Sequence, residues 1–171
     1  MSGRSFAISS MLDLEGYLAV VDQLGGTLTM LTPRERHLRI QHWRQVFAAP
    51  LHRATGKWKD GQFEWHVFSG RWSRALNGGR AQAAYAEEAE RWTRARKRTA
   101  PGGVRPTFWL VPEDAEYPAY RCEGARLPDL SHLFADAYVW PDDASWTMAF
   151  THEASAMDLG PYFSRREWVD A

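Results

Sequence analysis

The clearest pattern of apolar and polar positions lies in the C-terminal third of the chain. Trp146, Met148 and Phe150 alternate with polar or small residues, and a period of two residues is typical of a β-strand with one face on the core. The preceding run Pro141–Ala144 (PDDA) has the composition of a turn, because proline presets its φ angle and carboxylates accept bonds from nearby backbone amides. The pattern predicts a β-hairpin within residues 136–163, followed by a loop that ends in GPYF.

Helical spacing of apolar residues is found in three other places. The strongest case begins at Thr32, where an N-cap threonine, a proline at the first helical position and Glu35 form the signature of a capping box. This signal predicts a helix from Pro33 to about Ala48, ended by Pro50. A second helix is expected from Arg80 to about Lys97, and a weaker pattern favours one from Ser10 to Leu24.

The remaining apolar runs are short and favour strands. Phe108-Trp109-Leu110-Val111 is apolar at every position, which is typical of a central strand covered on both faces. Pro118 would deny a donor to a ladder, so its run is expected at an edge or at a strand start. The predicted strands are Thr27–Leu31, Phe63–Phe68, Thr107–Val111 and Tyr117–Cys122, and the predicted loops are Leu51–Asp60 and Ser69–Gly79.

Together these elements predict an α+β fold. Two or three helices precede or interrupt four or five mostly sequential strands, an order that favours a largely antiparallel sheet with helices packed on its apolar face. The hairpin is expected to pair with the strand that contains Phe108. A length of 171 residues fits a single globular domain with a sizeable core.

Composition and charge exclude several classes of protein. Lys+Arg and Asp+Glu both number 21, so we expect neither nucleic acid nor a membrane surface as a partner. The single cysteine, Cys122, excludes an intramolecular disulfide and fits a reducing compartment. The sequence has neither a signal peptide nor an apolar run long enough for a transmembrane helix, so we expect a cytoplasmic protein.

Several segments occur together in an order that resembles a known family. These are TPRERHLRIQHWRQVF, FEWHVFS, FWLVPEDAEYPAY and DAYVWPDDASWTMAFTHE followed by GPYF. They resemble the uncharacterised bacterial family called domain of unknown function 4275. The resemblance implies a family-like core of about residues 31–163, and it offers no catalytic residues. The chain departs from the family in an arginine-rich insertion of about residues 91–105 and in an extra tail, residues 164–171.

Candidate catalytic chemistry centres on two histidines. His152 and Glu153 stand at the end of the hairpin, and His66 lies in another predicted strand. A histidine beside a carboxylate could transfer protons or ligate a metal. Alternatively, His152 and Glu153 bind backbone groups where the strand enters the loop before Gly160. The sequence lacks H-x-x-x-H and C-x-x-C spacing, so we expect neither a bound metal nor a cofactor.

Candidate partner contacts are aromatic or acidic. Trp72, Trp140 and Trp168 lie in loops, at a strand end or in the tail, where exposed aromatic residues would serve as interface anchors. Asp142 and Asp143 could form part of an acidic patch. The alternatives are partial burial for the tryptophans and a simple turn for the aspartates.

A basic run near residues 91–98 could bind phosphate or an acidic partner. Cations are also favoured at a helix C-terminus by the macrodipole, which explains the run without a ligand.

From these features we expect a small protein that binds another macromolecule, in the manner of an immunity-type or antitoxin-like inhibitor. The competing hypothesis is a hydrolase or metal-dependent enzyme that uses His152, Glu153 and His66. A deep pocket shared by the two histidines would favour the enzyme, whereas a flat surface rich in tryptophan would favour the binding protein. The pattern leaves the oligomeric state open.

Overall fold

The computed structural model describes residues 14–133, 135–152 and 160–171, and within them it shows an α+β fold built on an antiparallel sheet. The helices are α1 (residues 14–22), α2 (Pro33–Phe47), α3 (Ala49–Thr55), α4 (His66–Ser69), α5 (Gly78–Arg98) and α6 (Arg166–Asp170). The strands are β1 (Thr27–Met30), β2 (Leu76–Asn77), β3 (Thr107–Pro112), β4 (Tyr120–Glu123), β5 (Ala137–Pro141), β6 (Trp146–Phe150) and β7 (Tyr162–Arg165).

The described strands form one seven-stranded sheet in the order β1-β4-β3-β5-β6-β7-β2. The predicted hairpin is confirmed as β5 and β6, and β5 pairs with β3 as expected. The predicted number of strands is too low because β2 has only two residues and β7 lies in the segment predicted as a loop. Pro118 precedes β4, which is an inner strand, so the proline marks a strand start.

Helices cover both faces of the sheet, as predicted for the strand that contains Phe108, whereas the predicted helices were expected to pack on one apolar face. One face packs against α1 and α5 through Tyr17, Tyr85 and Met148, and the other packs against α2 and α4 through Trp43 and Phe68. Every residue of β5 and β6 is therefore buried, including those predicted to face solvent. The prediction of a half-buried strand is wrong because small side chains of β6 face a second core.

The capping box at the start of α2 is present as predicted. The Thr32 hydroxyl accepts a bond from the backbone N–H of Glu35 (3.2 Å), and the Glu35 carboxylate accepts one from the N–H of Thr32 (2.7 Å). The bond from the Thr32 backbone N–H, with a further contribution from the Thr32 hydroxyl, lowers the pKa of the Glu35 carboxyl. The helix ends at Phe47, and Pro50 then lies in the first turn of α3, a position that proline tolerates. Part of the predicted loop after residue 50 is consequently helical.

The strand predicted over Phe63–Phe68 is wrong. The chain forms a turn followed by the single helical turn of α4. Trp65, Val67 and Phe68 are all buried in the same cluster, and a helical turn brings them to one side where a strand would alternate them. Phe68 interrupts the strand-like alternation in the sequence, and this interruption indicated that the segment is not a strand.

The arginine-rich segment and the tail belong to the fold. Helix α5 runs from Gly78 to Arg98, so much of the basic segment is the last turns of a helix. The tail supplies the last residues of β7 and helix α6, in which Val169 is buried. Cys122 is buried and unpaired, and burial raises the pKa of its thiol to about 12. Among the described residues, no helix is long and apolar enough to cross a membrane.

Candidate functional site

Two adjoining cavities form a concave feature of the described structure, which we call the central groove. The larger cavity has a volume of about 630 Å³ and lies between the start of α2 and the loop after β3. The smaller one, about 410 Å³, extends from that loop toward Phe63 and Asp136. Lys59, Glu113 and Tyr117 line both cavities, so the two lie side by side.

Hydrogen bonds from Arg36 stabilise one wall of the central groove. Its guanidinium donates to the backbone carbonyls of Pro112, Asp114 (2.8 Å) and Tyr117 (2.7 Å). Charge-assisted bonds to three carbonyls of one loop are stronger than neutral ones and use donors that have a fixed geometry. The loop after β3 is therefore held in a defined position relative to α2.

The floor of the central groove consists of charged side chains that form ion pairs with one another. The Arg44 guanidinium binds both carboxylate oxygens of Glu64, with Nε at 3.1 and 3.0 Å. The Glu64 side chain is only 5% exposed. Lys59 Nζ lies 3.8 Å from Glu64 Oε1 and 3.4 Å from Glu113 Oε1, so it bridges the two carboxylates. A buried carboxylate needs such partners because an unpaired one carries a large desolvation cost.

Glu113 joins this floor to the sheet. Its carboxylate accepts from the backbone N–H of Glu64 (3.2 and 3.4 Å) and from the hydroxyl of Tyr138. Tyr138 in turn accepts from the backbone N–H of Trp65 at 2.9 Å. Burial raises the pKa of Glu113, the neighbouring Glu64 charge adds to the effect, and the bond from Tyr138 opposes it. The pKa of the Glu113 carboxyl is therefore displaced upward.

Because the folded state holds the Glu113 proton to a higher pH than the unfolded chain does, this group favours folding below its ordinary pKa of 4.5 and loses that contribution as the pH rises through its raised value. We expect the unfolding free energy of the parent, relative to Glu113→Gln, to fall between pH 4.5 and neutrality. Urea unfolding of both proteins across this range measures the difference. Glu116→Gln, on the same loop but exposed, is the control; a difference independent of pH would contradict the prediction.

His152 and Asp136 form a hydrogen-bonded pair beyond the smaller cavity. His152 Nδ1 lies 2.8 Å from Asp136 Oδ2, and the backbone N–H of His152 donates to Asp136 Oδ1 at 3.0 Å. The indole N–H of Trp65 donates to the same oxygen at 3.2 Å. The carboxylate fixes the position of the imidazole, as it does in catalytic and metal-binding His–Asp pairs. The predicted partner, Glu153, lies outside the described residues.

His66 lies near the Asp136–His152 pair and packs against the same aromatic residues as His152 does. Its ring packs against Trp65 (centroids 4.4 Å apart) and Phe63 (5.4 Å), and the ring of His152 packs against the same two aromatics at 6.4 and 5.2 Å. His66 Nδ1 accepts a long bond (3.4 Å) from the N–H of Phe63. The two predicted histidines therefore flank one aromatic pair. Among the described residues, no group of three or more His, Cys, Asp or Glu is placed to hold a metal.

The three predicted tryptophan contacts have different surroundings. Trp140 is fully buried, because β5 is an inner strand and its side chain lies in the cluster that contains Trp43. It cannot contact a partner, so that prediction is wrong. Trp72 is 36% exposed. Trp168 is half-buried against Phe163, with the guanidinium of Arg165 5.8 Å from its ring.

Asp142 and Asp143 are exposed in the turn between β5 and β6. Asp142 accepts from the indole N–H of Trp109 (3.2 Å), and Asp143 accepts from the backbone N–H of Ser145 (3.0 Å). The turn interpretation thus accounts for Asp143. Asp142 also provides the hydrogen-bond acceptor for the indole N–H of the buried Trp109 on the neighbouring strand β3, a role that the sequence does not indicate.

The residues of the groove floor were missed by the sequence analysis because they are far apart in the chain. One signal was available: Glu64 stands between Phe63 and Trp65, and Glu113 directly follows an apolar strand. A charge placed inside an apolar run is typical of a buried ion pair or a site. Lys59 and Tyr138 carried no comparable signal.

No family model, curated protein or solved structure matches the chain. The resemblance to domain of unknown function 4275 therefore stays a prediction, and the role of the site is argued from its geometry.

Proposed function

We propose that the chain acts by binding another protein, and that the central groove is its binding site. Within that class we favour an immunity-type or antitoxin-like inhibitor, which binds its target stoichiometrically. The observation that carries the proposal is the contrast between the floor of the groove, where charges are paired with one another, and its rim, where apolar side chains face solvent.

The paired floor is suited to supporting a binding surface. Arg44 and Lys59 are engaged by Glu64 and Glu113, and Arg36 is engaged by backbone carbonyls. Groups held in this way stabilise the shape of the groove. A preorganised surface lowers the entropic cost of association, which is a main determinant of affinity at interfaces of equal area.

The rim supplies the contact area. Met30 is 62% exposed, and Pro33 and Ala115 are exposed on either side of the larger cavity. The exposed polar residues His37 and Glu116 stand among them. Exposed apolar area bordered by polar groups is the usual composition of a transient protein interface. The combined extent of the two adjoining cavities suits an extended segment or an edge of the partner.

The test is to recover the partner by co-purification from the source organism and to measure its affinity for variants of the rim. His37→Glu and Glu116→Lys change charge at exposed positions that line the groove. At least one should weaken binding by about 30-fold or more, equivalent to about 2 kcal/mol, as expected for an interface hot spot.

Matched controls carry the same change of charge away from the groove lining. Gln41→Glu lies exposed on α2, and Glu90→Lys lies exposed on α5. Both should bind the partner as the parent does. Equal weakening by controls and rim variants, or recovery of a partner whose affinity neither rim variant changes, would contradict the assignment of the groove.

An enzyme remains the second candidate because the Asp136–His152 pair favours it. A histidine oriented by a carboxylate can act as a general base, and its side chain is 35% exposed. Turnover of a small molecule that is lost in His152→Ala would replace the binding proposal. We also propose membership of domain of unknown function 4275, on the segments quoted above, and this membership adds no site residue.

A further inference from the structure

Strand β1 leaves one edge of the sheet open. It is the first strand in the sheet order and pairs only with β4 among the described strands. The segment Leu24–Pro33 that contains it has no charged residue, in a chain of which 25% is charged. Natural edge strands are usually protected from pairing by lysine, proline or a bulge. Strand β1 has none of these within Thr27–Met30, and Met30 is 62% exposed.

The hydrogen-bond pattern shows which backbone groups of β1 face outward. Leu31 N–H donates to the Ala119 carbonyl (2.8 Å), which makes this a hydrogen-bonded pair of the antiparallel ladder. Bonded pairs alternate along such a ladder, so Thr27 and Thr29 also bond toward β4. The N–H and C=O groups of Leu28 and Met30 therefore point away from β4.

The other side of β4 gives the same result independently. Gly124 N–H donates to the Pro106 carbonyl at 2.8 Å, so the even-numbered residues of β4 bond toward β3. Its odd-numbered residues, which include Arg121, are left to bond toward β1. No backbone hydrogen bond within the described part of the chain reaches the outer groups of Leu28 or Met30. Two donors and two acceptors are thus presented in a row.

The opposite edge of the sheet cannot extend in this way. It is formed by β2, which has two residues and leads directly into α5. Each chain therefore offers one strand edge for pairing. A single self-complementary edge produces a closed two-fold pair, because no second edge is left to continue a fibre.

We propose that β1 pairs with β1 of a second copy of this chain across a two-fold axis at Thr29. In this register Leu28 faces Met30 of the copy and Met30 faces its Leu28, so the outward groups form four hydrogen bonds. The Thr29 side chains meet at the non-bonded position between them, where Thr–Thr contacts are favourable. The uncharged segment introduces no repulsion between the two copies.

Other antiparallel registers use the edge less well. If one copy slides by one residue, the outward-facing backbone groups of one strand lie opposite inward-facing groups of the other. A slide by two residues preserves the alternation, but it pairs Met30 with Gly26, whose φ is +66°, or Leu28 with Thr32, the helix N-cap. Neither residue continues the strand. The register centred on Thr29 is therefore the one that uses both outward residues of β1.

The first test compares Met30→Pro with Met30→Ala by sedimentation equilibrium, at concentrations up to about 100 μM so that weak dimers are detected. Proline removes an N–H that points outward and leaves the ladder to β4 intact. We expect a dimer for the parent and for Met30→Ala, and at least a 30-fold weaker dimer for Met30→Pro. Unchanged circular dichroism and urea midpoint establish that Met30→Pro is folded.

The second test reports the register. Thr29→Cys brings two sulfurs together at the two-fold axis, where opposed Cα atoms in a non-bonded pair are about 4.5 Å apart, within disulfide reach. It should crosslink rapidly under mild oxidation, whereas Thr27→Cys, which is also exposed but displaced from the axis, should not. A monomeric parent, a dimer unaffected by Met30→Pro, or equal crosslinking of the two cysteine variants would overturn the proposal.

Discussion

Phe150→Ala is expected to lower the free energy of unfolding by about 3–5 kcal/mol, the range for emptying a buried phenylalanine site. Phe150 is 2% exposed, and its ring meets that of Tyr85 on α5 edge-on with centroids 5.5 Å apart. Strand β6 lies between β5 and β7, so the neighbouring backbone cannot collapse freely into the space. The cost should therefore include a residual cavity as well as the lost apolar contacts.

Urea unfolding of the parent and of Phe150→Ala measures this effect. Leu38→Ala is the matched control, because Leu38 is an apolar side chain that is 51% exposed, and its truncation should change stability by less than about 0.5 kcal/mol. If Phe150→Ala unfolds at the parent's midpoint, the packing of β6 against α5 is not as described.

Arg44→Ala is expected to cost about 3 kcal/mol, the lower end of the range for breaking a buried ion pair. The substitution leaves the Glu64 carboxylate, 5% exposed, without its guanidinium. Lys59, 3.8 Å away, offsets only part of that loss, since its own side chain is 36% exposed. Arg34→Ala removes an exposed arginine from the same helix and should be close to neutral.

The double variant Arg44→Met, Glu64→Met separates the cost of an unpaired charge from the worth of the pair. Replacing both partners by apolar residues removes the uncompensated carboxylate, so most of the stability lost in Arg44→Ala should return. Urea unfolding at neutral pH of Arg44→Ala, Arg34→Ala and the double variant, each beside the parent, provides the comparison. A double variant as unstable as Arg44→Ala would mean that Arg44 acts chiefly through packing.

The elements that sequence predicted well are those specified by local chemistry. Helix α2 is encoded by a capping box at Thr32 and Glu35, and the bonds of that box need no distant residue. The hairpin of β5 and β6 is likewise specified by its own turn. For such elements, local preference and the final fold agree, as they do in most natural sequences.

The predictions failed where distant residues decide the outcome. Residues 63–68 alternate like a strand, yet Trp65 and Phe68 pack toward Trp43 on α2 and Tyr162 on β7, and this contact selects a helical turn. Trp140 looks like an exposed strand end until both faces of the sheet are found to be covered. The alternation within residues 146–150 reports one buried face, and only the uniformly apolar run Phe108–Val111 indicated a strand covered on both faces.

The groove floor was beyond prediction for a related reason. Lys59, Glu64, Glu113 and Tyr138 belong to a loop, a turn, a strand end and an inner strand, and only the sheet order brings them together. His152 was found from its sequence, but its partner Asp136 lies 16 positions earlier in the chain and was not linked to it. A motif reveals chemistry when its members are close in sequence, and these residues are separated by up to 79 positions (138 − 59).

The sheet order has a consequence for how the chain acquires its structure. The two edge strands, β1 and β2, precede α5 in the sequence, whereas the five strands between them all follow it. Strand β1 has no neighbour to pair with until residues 120–123 have been synthesised, and β2 has none until residues 162–165 have been. Sheet formation must therefore wait for long-range encounters, and topologies dominated by such encounters fold slowly. During translation residues 14–106 would emerge as helices and unpaired apolar segments, which makes this stretch the one most in need of protection from aggregation.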